Sequence, residues 1–197
     1  TIVIPAEAPS SVQNAAAELQ KDIELATGAK LPLQKDSAAV STPVLSLGST
    51  RQAKAADLGS EEMADESFRI VTKDGNLYIL GPDTPDGGWT KNNGESNGTA
   101  NGVYSFLEDE LGVRWLMPGE IGRDVPQRST LALEKTDRTQ TPAFDWRRIS
   151  HMWDFAGKPQ LRSIQEWMER QRLGGSTRVS YGHNWWRTLN GNKSSNP

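Results

Sequence analysis

Apolar residues recur at helical spacing in two stretches of the chain. Between residues 10 and 26 they lie three or four positions apart, and Gly28 follows where such a helix would end. The same spacing returns between residues 99 and 111, with Thr99 placed to cap the N terminus and Gly112 placed to end the helix. The apolar positions are Val12, Ala16, Leu19, Ile23 and Ala26 in the first stretch, and Val103, Phe106, Leu107 and Leu111 in the second. The pattern predicts two amphipathic helices, each with one buried face.

Short β-branched and apolar runs lie between these helices and predict strands. Strands are expected at residues 1–5, 31–34, 44–47, 67–72 and 77–80, with a short surface helix over residues 49–58. Asp74-Gly75 lies between the last two strands and offers the positive φ angles of a tight turn, so these strands are expected to form a hairpin. We therefore predict an α+β domain over residues 1–135, in which two helices pack on one face of a mixed β-sheet.

The pattern changes after residue 135. Residues 136–143 are charged, rich in Thr and include Pro142, which predicts a linker. Beyond it, residues 144–150 are predicted as a strand, 159–173 as a helix and 178–181 as a strand. Such a β-α-β unit opens a parallel α/β structure, and residues 144–197 are therefore assigned to a second region.

Five sequence segments carry a resemblance to a known family. They are Ile2-Val3-Ile4-Pro5, Ala15-Ala16-Ala17-Glu18-Leu19-Gln20 with Thr27-Gly28-Ala29, Leu45-Ser46-Leu47-Gly48, Gly98-Thr99-Ala100-Asn101-Gly102-Val103-Tyr104 and Gly112-Val113-Arg114-Trp115-Leu116. In this order the chain resembles the N-terminal domain, also described as the family 20 b-type domain, that precedes the catalytic barrel in bacterial glycoside hydrolases similar to alpha-glucuronidases and endo-beta-N-acetylglucosaminidases. The resemblance extends over residues 1–150.

The resemblance implies a function that the residue pattern alone does not give. It implies an accessory domain followed by the first strands of a (β/α)8 barrel, in a secreted or periplasmic enzyme that degrades polysaccharide or glycan. The partners expected are a carbohydrate and the remaining catalytic barrel of the parent enzyme. In the resembling families the catalytic acids come from later barrel strands, so we expect no catalytic residues in this chain.

The first candidate binding group follows the predicted strand 144–150. The active sites of such barrels lie at the carboxyl ends of the strands, where Arg147, Arg148, His151 and Trp153 would be found. Guanidinium groups suit hydroxyls and carboxylates, and an indole ring suits the flat face of a sugar. The alternative is that the arginines pair with nearby aspartates and that the tryptophan packs in a core or a domain contact.

The second candidate group follows the predicted strand 178–181 and repeats this chemistry. It consists of His183, Asn184, Trp185 and Trp186. Paired tryptophans are common both as sugar platforms and as packing between domains, so both interpretations stay open. His183 is expected to contact substrate or to be a merely hydrogen-bonded histidine, while a metal site would need several further ligands.

Other arrangements of polar residues are less suited to chemistry. Glycoside hydrolysis uses two carboxyl groups about 5 to 10 Å apart, whereas residues 108–110 are expected on a solvated helix face and Glu166 and Glu169 on the outside of the predicted barrel. Residues 82–97 are rich in Asp, Asn and Gly, but their spacing matches no EF-hand loop, and a mobile loop near the domain interface is preferred to a calcium site. We expect neither a metal nor a cofactor.

Charge and composition narrow the possible partners. The formal charge is -3, and no basic block could neutralise a row of phosphates, which argues against nucleic acid. No apolar run approaches the roughly 20 residues that cross a bilayer. The chain has no cysteine, so thiolate chemistry is excluded. The start at Thr1 is expected of a processed or trimmed product. A non-catalytic carbohydrate-binding module and a structural, partner-binding domain remain the alternative functions.

Overall fold

The computed structural model describes residues 1–149 and 158–179, without the side chains of residues 158–160. The strands are β1 (Ile2–Ile4), β2 (Leu33–Lys35), β3 (Leu45–Leu47), β4 (Phe68–Lys73), β5 (Asn76–Leu80), β6 (Arg114–Trp115), β7 (Arg123–Asp124) and β8 (Asp137–Gln140). The α-helices are α1 (Ser10–Thr27), α2 (Arg51–Ala55), α3 (Gly98–Phe106) and α4 (Lys158–Arg170). A π-helical turn, Leu107–Leu111, continues α3, and a 3-10 turn, Glu120–Gly122, precedes β7.

Six of the strands form one mixed sheet in the order β2-β1-β3-β5-β4-β8. Strands β2, β1, β3 and β5 run parallel, whereas β4 is antiparallel to both β5 and β8. The β4–β5 connection is the hairpin that the sequence predicts, with φ of 50° at Asp74 and 75° at Gly75. Strands β6 and β7 form a separate antiparallel pair. The fold is a mixed sheet with helices packed against it, consistent with an α+β architecture.

Helices α1 and α3 cover one face of this sheet, as predicted. Leu19 of α1 and Phe106 of α3 are almost completely buried, and they belong to one core together with Ile70 and Ile79 of the sheet. The opposite face carries a smaller apolar cluster that includes α2, with Ala53, Leu58, Val71, Tyr78 and Leu80. Burial of a large side chain such as Phe106 contributes about 1.5–3 kcal/mol, so this core is the main source of stability.

The start of α3 differs from the predicted cap. The helix begins at Gly98, so Thr99 lies within the first turn and its hydroxyl instead accepts a hydrogen bond from the Gly81 N–H at 3.2 Å. Asp83 performs the capping role, because its Oδ1 accepts the Thr99 N–H at 3.0 Å. The prediction of Thr99 as the cap was wrong, since the true acceptor lies in a loop 16 positions earlier. Gly112 ends the helical segment as predicted, with φ of 76°.

The segment from 136 to 149 also differs from the sequence pattern. Residues 137–140, predicted as part of a linker, form the edge strand β8 beside β4, and the Arg69 guanidinium binds the Asp137 carboxylate across the pair at 2.8 Å. Polar residues suit an edge strand as well as a linker, because much of its surface faces water. Within residues 144–149, predicted as a strand, the described chain shows only an isolated bridge between Arg147 and Gly174.

Helix α4 packs against the helical layer rather than against the sheet. Ile164 is buried, and Trp167 packs on the main core. The Trp167 indole N–H and the Gln171 amide both donate to the carbonyl oxygen of Trp115 at 2.9 Å. The predicted helix 159–173 is therefore present over a slightly different range. The division into two domains and the barrel start stay predictions.

Candidate functional site

Arg147, a predicted substrate contact, is committed to protein groups. Its guanidinium donates to the Glu66 carboxylate, to the Arg172 carbonyl oxygen at 2.9 Å and to the Phe144 carbonyl oxygen at 2.8 Å. Its main chain also exchanges two 2.7 Å hydrogen bonds with Gly174. These bonds attach residues 144–149 and 172–174 to the domain, so the described position of Arg147 is that of an anchor.

Glu66, the partner of Arg147, is buried and conformationally unusual. Its φ is 64°, in the left-handed region. This backbone conformation is unfavourable for a residue with a long side chain, and Glu66 is also buried. Three bonds hold it there: its N–H donates to Ser96 Oγ at 2.7 Å, its Oε1 accepts the Asn97 N–H at 3.1 Å and its carbonyl oxygen accepts from Asn101 Nδ2 at 3.2 Å. Glu66 is thus connected by hydrogen bonds with Ser96, Asn97, Asn101 and Arg147.

Of the remaining predicted substrate contacts, Arg148 alone is among the described residues. The exposed Arg148 has an interaction partner, as does the neighbouring Trp146. His151, Trp153, His183, Asn184, Trp185 and Trp186 lie outside the described residues. The convergence of these side chains on one concavity stays a prediction.

A buried ion network joins α4 to α1 and β7. Arg170 binds Glu18 through two hydrogen bonds of 3.0 and 3.1 Å, and Arg123 binds the same carboxylate at 2.7 Å. Arg123 also donates to Asp22, which is fully buried at the centre of the network. Burial raises the pKa of Asp22 to about 6, although the neighbouring Arg123 opposes the shift. The network fixes the C-terminal helix on the domain by charge-assisted bonds.

A polar cavity of about 310 Å3 opens between α1, α3 and the end of α4. The side chains that matter for its chemistry are Ser10 and Asn14 of α1, Asp86 and Glu95 of loops, Asn101 and Tyr104 of α3, and Glu169 of α4. A second space of about 340 Å3 adjoins it and shares Asn14, Tyr104 and Glu169. Burial, together with the charge of Glu166, raises the pKa of Glu169. The sequence pattern assigned Glu169 to a barrel exterior and gave Asn101 and Tyr104 no role beyond the helix.

The loop over residues 82–97 packs against the C-terminal segment. Glu95 N–H donates to the Gly175 carbonyl oxygen at 3.0 Å, Thr90 Oγ1 donates to the Ser176 carbonyl oxygen, and Asn92 and Asn93 form bridges with Thr177. Across residues 1–149 and 158–179 no group of three or more acidic or histidine side chains is arranged to hold a metal ion. In the same residues no helix is long and apolar enough to span a bilayer.

Comparison with known proteins adds one finding on the fold. No protein-family model matches the chain, and no curated protein matches it in sequence. Among solved structures, the chain is similar to a family GH115 4-O-methyl-alpha-glucuronidase with specificity for decorated arabinogalactans, with a TM-score of 0.53 at 14% identity. The likeness shows the fold alone. It covers 87% of this chain and 24% of that enzyme, so the chain spans about a quarter of the length of its structural neighbour.

Proposed function

We propose that the chain is the N-terminal accessory domain and barrel start of a secreted bacterial glycoside hydrolase that acts on polysaccharide or glycan. The observation that carries the proposal is the fold likeness to part of an alpha-glucuronidase, which covers 87% of the chain. The sequence segments that resemble the N-terminal domain of such hydrolases support it independently. In this proposal the catalytic acids belong to the remaining barrel, and the chain is not catalytic by itself.

The attachment of the C-terminal segments supports an accessory role. Arg147 holds residues 144–149 against Glu66, and Arg170 holds α4 against Glu18. The predicted substrate contacts His151 and Trp153 follow the first of these anchors directly in sequence. An accessory domain that fixes such flanking residues would position the wall of a neighbouring substrate cleft, as precise catalytic geometry requires.

The test uses the parent enzyme and the chain alone. In the parent enzyme, Trp153→Ala or His183→Ala should reduce kcat/KM on the natural glycan by about tenfold or more, with little change in melting temperature. The chain alone should release no product from aryl glucuronides or N-acetylglucosaminides. Turnover by the chain that a carboxylate substitution abolishes would refute the accessory role. A loss of melting temperature with kcat/KM unchanged would assign Trp153 and His183 to structural packing.

A non-catalytic carbohydrate-binding module is the second candidate function. The polar cavity between α1, α3 and the end of α4 favours it, because several hydrogen-bonding side chains of the described residues surround one concavity there. The two functions predict different behaviour towards glycan. A binding module binds glycan by itself and is part of no hydrolytic reaction. An accessory domain changes the activity of the catalytic barrel to which it is attached. Affinity electrophoresis of the chain in gels with and without arabinogalactan measures the first property directly.

A further inference from the structure

We propose that the cavity between α1, α3 and Glu169 binds a neutral sugar residue. Its volume of about 310 Å3 lies at the lower end of the range for small-molecule sites and accommodates a single sugar ring. The adjoining space of about 340 Å3 leaves room for a second ring. Its described lining comes from α1, α3, α4 and the intervening loops and includes neither Arg147 nor Arg148 of the predicted substrate contacts.

Two buried polar side chains in the cavity lack protein partners for part of their hydrogen-bonding capacity. Tyr104 is 3% exposed, and its hydroxyl makes no hydrogen bond with any described residue. Asn101 is 5% exposed; its Nδ2 donates to the Glu66 carbonyl oxygen at 3.2 Å, but its Oδ1 accepts no hydrogen bond from the described residues. Neither atom is among the buried polar atoms without a partner, so both are open to the cavity, where a hydroxyl-bearing ligand can pair with them.

The side chain of Tyr104 is held in a fixed orientation. Its ring packs edge to face against Trp115, with the centroids 5.7 Å apart and the planes at 87°. Asn101 and Tyr104 are one helical turn apart on α3, so they present an amide and a phenol to the same space. Rigid groups of this kind lose little conformational entropy when a ligand binds.

The charge of the cavity selects for neutral ligands. Its described lining includes the carboxylates Asp86, Glu95 and Glu169, besides Glu66, whose charge Arg147 balances, and no lysine or arginine. Arg162 and Arg170 line only the adjoining space, where Arg162 binds Glu166 and Arg170 binds Glu18. Carboxylate oxygens accept hydrogen bonds from sugar hydroxyls, whereas the carboxylate of a uronic acid would meet like charge. The expected ligand is therefore a neutral part of a glycan, in contrast to a glucuronic acid. The choice of a sugar as ligand rests on the proposed function. The unpaired groups of Asn101 and Tyr104 and the negative charge of the cavity are observed independently of that function.

Titration of the ¹⁵N-labelled chain with methyl β-galactoside and methyl β-xyloside, up to about 50 mM, tests the inference. We expect saturable shifts at the amides of Gly88 and Ala100, which line the cavity, with Kd in the millimolar range. Tyr104→Phe removes only the hydroxyl and should weaken binding by about fivefold. Tyr78→Phe is the matched control, because Tyr78 is also buried but lies on the opposite face of the sheet. Methyl β-glucuronide should bind more weakly than either neutral glycoside.

Asn14→Ala provides a second variant that should not impair folding. Asn14 is exposed on α1, lines both spaces and should also weaken binding when truncated. Absence of saturable shifts, equal affinity of Tyr104→Phe and the parent, or stronger binding of the glucuronide would each overturn the inference. Shifts confined to residues outside the cavity would overturn it while leaving a carbohydrate function intact. If the chain binds sugar in this cavity but has no effect on the activity of the parent enzyme, the proposed function is refuted and the inference about the cavity stands.

Discussion

Gly102 in the middle of α3 allows the helix to approach the sheet closely. A Cβ at this position would lie 2.6 Å from Cγ2 of Ile79 and 3.1 Å from Cβ of Phe68. Carbon atoms in good contact are about 3.5–4.0 Å apart, so the nearer contact would be too short by about 1 Å. Both neighbours are buried in the core and have little room to move. Gly102→Ala should therefore force α3 away from β4 and β5.

The net effect follows from two opposing contributions. Replacement of Gly by Ala in a helix interior normally stabilises by about 1 kcal/mol. Overpacking a core costs about 1–3 kcal/mol, and the two short contacts place Gly102→Ala in the upper part of that range. We expect a net loss of about 1–2 kcal/mol in the free energy of unfolding, or roughly 2–8 °C in Tm for a chain of this size.

Urea denaturation followed by tryptophan fluorescence measures this loss. Gly59→Ala is the matched control, since the added Cβ would meet only the Glu61 side chain, which can rotate away, and Gly59 is exposed. The control should change the unfolding free energy by less than about 1 kcal/mol. A Gly102→Ala variant that is as stable as the parent, or more stable, would refute the close-approach argument and restore helix propensity as the dominant effect.

Three further predictions concern the core, the ion network and the C-terminal anchor. Leu19→Asp should lower the unfolding free energy by about 4 kcal/mol or more through an unpaired buried charge, and a parent-like melting curve would contradict this. Burial raises the pKa of Asp22 from 3.8 to about 6, so the folded state holds a proton that the unfolded chain has released. The contribution of this group to stability is therefore lost as pH rises from about 4 to above 6. Between pH 4 and pH 7 the unfolding free energy of Asp22→Asn should rise relative to that of the parent by up to about 3 kcal/mol, measured by urea denaturation. A pH-independent difference would exclude this linkage. Arg147→Ala should leave the Glu66 carboxylate unpaired, cost about 2–3 kcal/mol and accelerate limited proteolysis within residues 144–149, whereas unchanged cleavage would show that other contacts suffice.

Local signals account for the parts of the fold that the sequence predicts correctly. The apolar stripes of α1 and α3 and the Asp74-Gly75 turn depend on residues close together in the chain, so their periodicity and turn chemistry are readable. The cap of α3 is not readable in this way, because Asp83 reaches it from a loop. Strand β8 resembles a linker in composition because its residues are largely exposed at the sheet edge.

The candidate site depends on contacts between distant residues. Glu18 and Arg170 are 152 positions apart, and Arg147 meets Glu66 across 81 positions. Pairing partners at such separations cannot be selected from a single sequence, because every carboxylate is an equal candidate. The sequence contains one indication of the cavity, because Asn101 and Tyr104 are polar residues at helical spacing beside the apolar stripe of α3. Their role in the cavity becomes visible only in the folded structure, where α1 and α4 enclose the space that Asn101 and Tyr104 face.

The position of β8 in the chain has a consequence for biosynthesis. A ribosome releases the N terminus first, so β4 and β5 can pair long before residues 137–140 emerge. During that interval one edge of β4 has no partner, and an open strand edge is a template for association with other chains. Arg69 and Lys73 place positive charges on this strand, which discourages such pairing. Nascent chains that end before Asp137 should therefore depend on chaperones, and those that extend past Gln140 should be released from that dependence.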